Sequence, residues 1–249
     1  MFKNIFSLFV LMLSFSASAI VNIDRISVND QLEPVQGEIS LDLSGASGNT
    51  DTQSTSLDSR VQWNSQSTQF VVFKYEFGKS SGIKNTDKTF LHYRYISNSK
   101  DVTTWESFLQ IQDDEFKLLK LRTLVGAGYR FKLITKSKNR QVRLGVGLFY
   151  SKEEQEDILK TTDELIRANI YFTYNSKINN NVSFLTTTYF QPDINRSSDY
   201  RALEQLSLEF GLSKDLLYFV SVDLSYDNEP FNGLEKEDIS YKSGITYRF

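Results

Sequence analysis

Two stretches near the C-terminus, LLYFVSVDLSY (residues 216–226) and YKSGITYRF (residues 241–249), repeat their apolar residues at every second position. In the first, Leu216, Tyr218, Val220, Val222, Leu224 and Tyr226 share one face, and Phe219, Ser221, Asp223 and Ser225 share the other. In the second, Tyr241, Ser243, Ile245, Tyr247 and Phe249 lie opposite Lys242, Gly244, Thr246 and Arg248. A period of two is that of a pleated strand with one greasy face. The same pattern recurs upstream. Val142, Leu144, Val146, Leu148 and Tyr150 are interleaved with Arg143, Gly145, Gly147 and Phe149, and Ile166, Ala168, Ile170, Phe172 and Tyr174 with Arg167, Asn169, Tyr171 and Thr173.

Extending the reading gives about twelve segments of about 10 residues, the length of a tilted bilayer-spanning strand. They lie near 38–46, 54–63, 68–78, 87–96, 102–112, 117–133, 140–151, 164–175, 181–191, 200–213, 216–227 and 237–249; alternation is weakest near 68–78 and 181–191. Strands of soluble sheets average about half that length. Connections after the even-numbered strands are short, such as Ser97–Asp101 and Ser213–Asp215, whereas most of those after the odd-numbered strands are longer and often acidic, such as Lys152–Asp163 and Asn228–Lys236. Short periplasmic turns and long outer loops are the asymmetry of an outer-membrane barrel. Aromatic residues near strand ends, including Trp63, Tyr75, Tyr95, Tyr129, Tyr150 and Tyr247, supply the interfacial girdles. The expected fold is therefore all-β, a transmembrane up-and-down antiparallel barrel over residues 37–249.

The rest of the chain agrees. Lys3 precedes an apolar run from Ile5 to Phe15 that ends in Ala17-Ser18-Ala19, the form of a signal peptide over residues 1–19. Residues 20–36, with Pro34, read as a periplasmic lead-in. A formal charge of −3, from 28 Lys and Arg against 31 Asp and Glu, leaves no basic excess for nucleic acid. There is no Cys, hence neither a disulfide nor a lipidated cysteine. The expected location is the bacterial outer membrane, with lipid and lipopolysaccharide around the barrel. Tyr241, Ile245, Tyr247 and the terminal Phe249 resemble the signal read by the barrel assembly machinery.

The stretch GEISLDLSGASGNTD (37–51), with TFLHYRYI (89–96), WESFLQIQ (105–112), RTLVGAGYRF (122–131) and TTYFQPD (187–193), resembles the YdiY-like outer-membrane family, domain of unknown function 481. The resemblance implies an outer-membrane barrel and carries over no activity and no catalytic residue.

Candidate chemistry is confined to the lumen. His92 is the single histidine, with Glu76 and Glu106 expected on the flanking strands, and no G-x-S-x-G or comparable spacing accompanies it, so no catalytic residue is assigned and no enzyme is expected. The runs Glu153, Glu154, Glu156, Asp157 and Asp113, Asp114, Glu115 read as solvated outer loops; no metal site or cofactor is expected from them.

A hairpin centred on residues 136–137 would set Arg130 opposite Arg143, Gly128 opposite Gly145, Gly126 opposite Gly147 and Leu124 opposite Phe149. With Arg122 and Arg167, this makes a basic wall carrying a glycine patch. Glu38, Asp42, Asp58, Glu209 and Asp223 form an acidic wall, diluted by Arg60, Lys242 and Arg248. Either the walls stand apart across water, as in a porin constriction, or they reach across and pair. About twelve strands lie between a filled barrel and an open channel, and the glycines either open a path or relieve curvature. The favoured function is a small porin-like channel for ions or small polar solutes. The alternative is a closed barrel that binds a surface partner through its acidic loops, and an outer-membrane hydrolase is third.

Overall fold

The computed structural model describes residues 33–46, 52–80, 82–97, 101–134, 137, 139–156, 161–231 and 234–249. The signal segment, nearly all of the lead-in and Asp157 lie outside the described residues. Among those described, twelve strands follow one another: β1 Val35–Ala46, β2 Thr52–Asn64, β3 Thr68–Ser80, β4 Ile83–Ile96, β5 Thr103–Asp114, β6 Leu119–Lys132, β7 Arg140–Gln155, β8 Thr162–Lys177, β9 Val182–Pro192, β10 Tyr200–Gly211, β11 Leu216–Asp227 and β12 Glu237–Arg248. Each pairs antiparallel with its neighbour in sequence, and β12 returns to β1, so the sheet closes on itself. Closure removes both sheet edges, which is what permits strands to sit in lipid.

At the seam Glu38–Asp42 pair with Arg248–Gly244, and Gly37 and Phe249 exchange main-chain bonds of 2.8 and 3.0 Å. The Phe249 ring covers Gly37, where a Cβ would lie 2.3 Å from the ring. Tyr241, Ile245, Tyr247 and Phe249 all face outward and are exposed. So do Leu41, Leu57, Leu109, Val125, Leu148, Ile170 and Val220. This apolar surface would be a liability in water and is the lipid-facing band of a barrel. Trp63, Trp105 and Tyr129 stand on it near the strand ends on the side of Val35 and Phe249.

The observed strands follow the alternation closely, with differences at their outer ends. β7 and β8 run on through the segment expected to be an acidic loop, pairing Lys152 with Glu164 and Glu153 with Asp163. Opposite charges at Lys152 and Glu164 support the extra rungs. The sixth strand starts at Leu119 rather than 117, because Asp114 caps a 3₁₀ turn over Glu115–Lys117. Its carboxylate accepts from the Phe116 and Lys117 main-chain N–H groups, both at 3.2 Å, and Leu118 leaves the turn at φ 52°.

The β6–β7 register corrects the expected pairing by two residues. Leu133 N donates to Val142 O (2.8 Å), which sets the pairing two residues away from the one expected of a turn at 136–137. Arg130 therefore faces Gly145, Gly128 faces Gly147, Gly126 faces Phe149, Leu124 faces Ser151, and Arg143 faces Lys132. A two-residue shift keeps every side chain on its face; Arg130 and Arg143 both remain inside but are not opposite each other.

Candidate solute path through the barrel

The inner face is polar, as the alternation requires, but its charges are paired locally. Near the end that carries Val35 and Phe249, Arg248 donates to Glu38 Oε2 (3.3 Å) and Glu209 Oε2 (2.7 Å), tying β1 to β10 through β12. Asp42 accepts from Ser56 (2.6 Å), Asp223 accepts from Gln205 Nε2 (2.6 Å), and Asp58 lies 3.9 Å from Lys74 Nζ. Of the basic set, Arg122 donates to Glu153 Oε2 (2.9 Å) and Arg167 to Asp199 Oδ1 (2.7 Å). These members of the two expected walls are thus held locally, Glu38, Asp58, Glu209, Arg122 and Arg167 by opposite charges and Asp42 and Asp223 by neutral donors.

Across the middle the interior is filled by side chains. Phe70 and Phe90 from β3 and β4 meet Tyr171 and Tyr189 from β8 and β9 in one buried cluster, joined by Val72, Ile96 and Leu203. These strands lie on opposite sides of the closed sheet, so the cluster bridges the lumen. Arg94 is held in this layer, its guanidinium 4.9 Å from the Phe108 ring centre and 5.7 Å from that of Tyr171. Arg94 Nη1 donates to Glu106 Oε2 (3.0 Å), and Tyr171 Oη reaches from β8 to donate to Glu106 Oε1 (2.7 Å). Both members of the pair are almost fully buried, with side-chain exposures of 2% and 3%. A buried pair of this kind holds only when its remaining hydrogen-bonding capacity is met, and Tyr171 and His92 help to meet it.

The four glycines of the expected patch each face a close neighbour. A Cβ at Gly145 would lie 2.0 Å from the Tyr171 ring, and one at Gly126 would lie 2.4 Å from the Phe108 ring. Those two glycines are the seats of the Tyr171 and Phe108 rings. Gly128 and Gly147 instead allow close main-chain approach, since a Cβ on either would come within 2.6 Å of a carbonyl oxygen on the other strand.

His92 extends the polar chain upward. Its Nε2 accepts from Arg94 Nε (3.3 Å), and its Nδ1 donates to Gln110 Oε1 (3.1 Å). Gln110 Nε2 in turn donates to Gln112 Oε1 (2.6 Å). Rings of Phe70, Phe90 and Phe108 stack around the imidazole at centroid distances of 5.7–6.1 Å. The carboxylates considered as its partners are engaged elsewhere: Glu106 holds Arg94, and Glu76 holds Lys242 (2.8 Å) and Lys88 (3.2 Å).

Above this layer lies a cavity of about 300 Å³ with a floor of His92, Arg94, Phe108 and Tyr189. Its wall is braced by Glu153, which accepts from Arg122 and also from Arg201 Nη1 (2.6 Å) and Nη2 (3.1 Å), while Arg201 Nε donates to Asp227 (2.7 Å). Glu153 was expected in a solvated loop and is 1% exposed. Its parity with Phe149 and Ser151 already marked it as lumenal. Arg167 anchors the β9–β10 connection, its side chain through Asp199 and its main chain through an isolated antiparallel β-bridge with Asp193. At the mouth the 3₁₀ turn crosses to β12 through an ion pair between Lys117 and Asp238. Burial there pulls the Lys117 ammonium below the usual lysine range, against the opposing pull of Asp238. Among the described residues, no cluster of three or more His, Cys, Asp or Glu is arranged to hold a metal ion.

A family model described as a protein of unknown function, DUF481, matches residues 39–249. The chain belongs to the DUF481 family. Comparison with curated proteins gives no match. Solved structures similar to this DUF481 barrel include the NanC porin, at TM-score 0.55 and 12% identity over 85% of this chain and 98% of that one. The translocator domain of the autotransporter NalP from Neisseria meningitidis aligns at TM-score 0.53 and 11% identity, over 86% of this chain and 88% of that one. The KdgM porin in complex with disordered oligogalacturonate aligns at TM-score 0.50 and 9% identity, over 86% and 99%. At such identities the likeness is one of fold.

Residues absent from the sequence-based site are the ones that shape this DUF481 lumen most: Phe70, Phe90, Arg94, Tyr171 and Tyr189. A signal existed. Tyr171 and Phe149 fall among the polar, inward parity of their strands, and an aromatic ring on that face must fill the lumen.

Proposed function

We propose that the protein is a porin-like barrel of the bacterial outer membrane that is shut across its middle in its ground state and admits small polar solutes or ions from outside into the cavity above. It is neither an enzyme nor a permanently open pore. The observation that carries this reading is the aromatic layer, in which rings from opposite walls meet around the Arg94–Glu106 pair. Passage through the barrel then requires that layer to rearrange.

An outer-membrane setting, with lipid and lipopolysaccharide around the wall and insertion by the assembly machinery, is supported by the export-type segment over residues 1–19, the exposed apolar band and the outward Tyr241, Ile245 and Tyr247 of β12. A solute-handling role is supported by the fold shared with porins, one of which is described with an oligogalacturonate. A non-catalytic role is supported by His92, both of whose ring nitrogens are committed to neighbours.

Swelling of vesicles in a small neutral sugar such as arabinose tests the reading. Vesicles carrying the wild type should swell no faster than protein-free ones, and those carrying Phe70→Ala with Tyr171→Ala should swell measurably. Wild-type swelling at the rate of an open porin would overturn it.

A further inference from the structure

We propose that the cavity above the aromatic layer is a binding site for a small neutral saccharide. The inference deepens the reading just given, since it takes that layer as the floor of the site. Its size fits: about 300 Å³ is at the low end of the ~300–1,000 Å³ of small-molecule sites. Its chemistry is more decisive.

Four cationic side chains line the cavity, and each is already held by a carboxylate. Arg94 is paired with Glu106, Arg122 and Arg201 with Glu153, Arg201 also with Asp227, and Lys117 with Asp238. A charged ligand would have to displace one of these partners and leave a buried charge behind, which is costly. The polar capacity not spent in this way belongs to amides. Gln112 Oε1 accepts from Gln110, and Asn169 Oδ1 accepts from Gln191 Nε2 (3.1 Å). Among the described residues no hydrogen bond uses the amino groups of Gln112 and Asn169, and both side chains belong to the lining. An amide offers donors beside an acceptor, as hydroxyl groups require. The rings of Phe108, Phe149 and Tyr189 add apolar faces whose negative quadrupole suits the C–H face of a pyranose. Rings for the C–H face, amides for hydroxyls and cations that are all paired together select a neutral sugar over an ionic solute; of the lining carboxylates outside those pairs, Asp114 caps the 3₁₀ turn and Glu235 is exposed on the β11–β12 connection.

Titration calorimetry of the refolded full-length mature barrel, in a detergent without a sugar headgroup, tests this with maltose and sucrose as neutral probes. A uronic-acid disaccharide and a glucosamine disaccharide serve as charged ones. At least one neutral probe should bind, and both charged probes should bind at least about tenfold more weakly. Gln112→Ala with Asn169→Ala should weaken the neutral probe by about tenfold, whereas Gln36→Ala, at the periplasmic end of β1, should leave it unchanged. Should the double variant fail to refold, Phe231→Ala supplies a second test, because Phe231 lines the cavity from the β11–β12 connection outside the strands; it should weaken binding about threefold. Tighter binding of a charged probe, no binding of either neutral probe, or indifference to these substitutions would overturn the proposal. Equilibrium binding is blind to passage, so a barrel that swells vesicles yet binds maltose contradicts only the shut lumen, and one that is shut yet binds nothing contradicts only the sugar site.

Discussion

The middle layer and the cavity above it are built from the same kinds of groups and behave as different media. In the middle, Arg94 and Glu106 are 2% and 3% exposed under the rings of Phe108 and Tyr171. One level up, Arg122 and Arg201 share Glu153 with exposures of 16% and 12%, beside open space. The difference lies in the rings that reach across the lumen below and are absent from its centre above. In a barrel of intermediate width, polar alternation sets which residues face inward, and the aromatic residues among them decide whether water follows.

The sharpest way to break this contrast is to remove one carboxylate from each level. Glu106→Ala should destabilise the barrel by about 3–5 kcal/mol, because it strands a buried guanidinium and takes the acceptor of Tyr171. Glu153→Ala should cost less, about 1–3 kcal/mol, since Arg201 keeps Asp227 and the cavity admits water. Urea titration of the refolded proteins, followed by the heat-dependent gel shift, measures both. Equal costs would mean that the middle is no drier than the cavity.

A milder probe adds volume instead of removing charge. Gly145→Ala brings a methyl group onto the Tyr171 ring and should cost about 1–3 kcal/mol. Gly211→Ala, where the nearest atom is 3.7 Å away, should be almost neutral in the same titration. The smallest effect is expected at the mouth. Lys117→Ala loses one partly exposed ion pair and should change stability by less than about 1 kcal/mol. It should nevertheless speed protease cleavage at the β5–β6 tip, which the pair with Asp238 holds down.

The strands were legible because half of every segment faces lipid and must be apolar, so a period of two persists along the chain and stops at the turns. The seam was legible for the same reason, in the YKSGITYRF stretch. The β6–β7 register was not, because a two-residue slip leaves the alternation of both strands unchanged, so the apolar pattern does not select between the two pairings. The lumen was half legible. Parity placed Arg122, Arg130, Arg143 and Arg167 inside, but their partners come from strands or connections whose proximity exists only after closure, as Asp199 shows for Arg167. Tyr171 was passed over as an intervening residue, since its contact with Glu106 spans from β8 to β5.

Single-channel recording of the refolded wild type in planar bilayers, beside Phe70→Ala with Tyr171→Ala, tests the shut lumen most directly. The expected result is a wild type without steady conductance steps and a double variant with discrete ones. Steady steps from the wild type, unchanged in the double variant, would contradict a barrel closed by its aromatic layer.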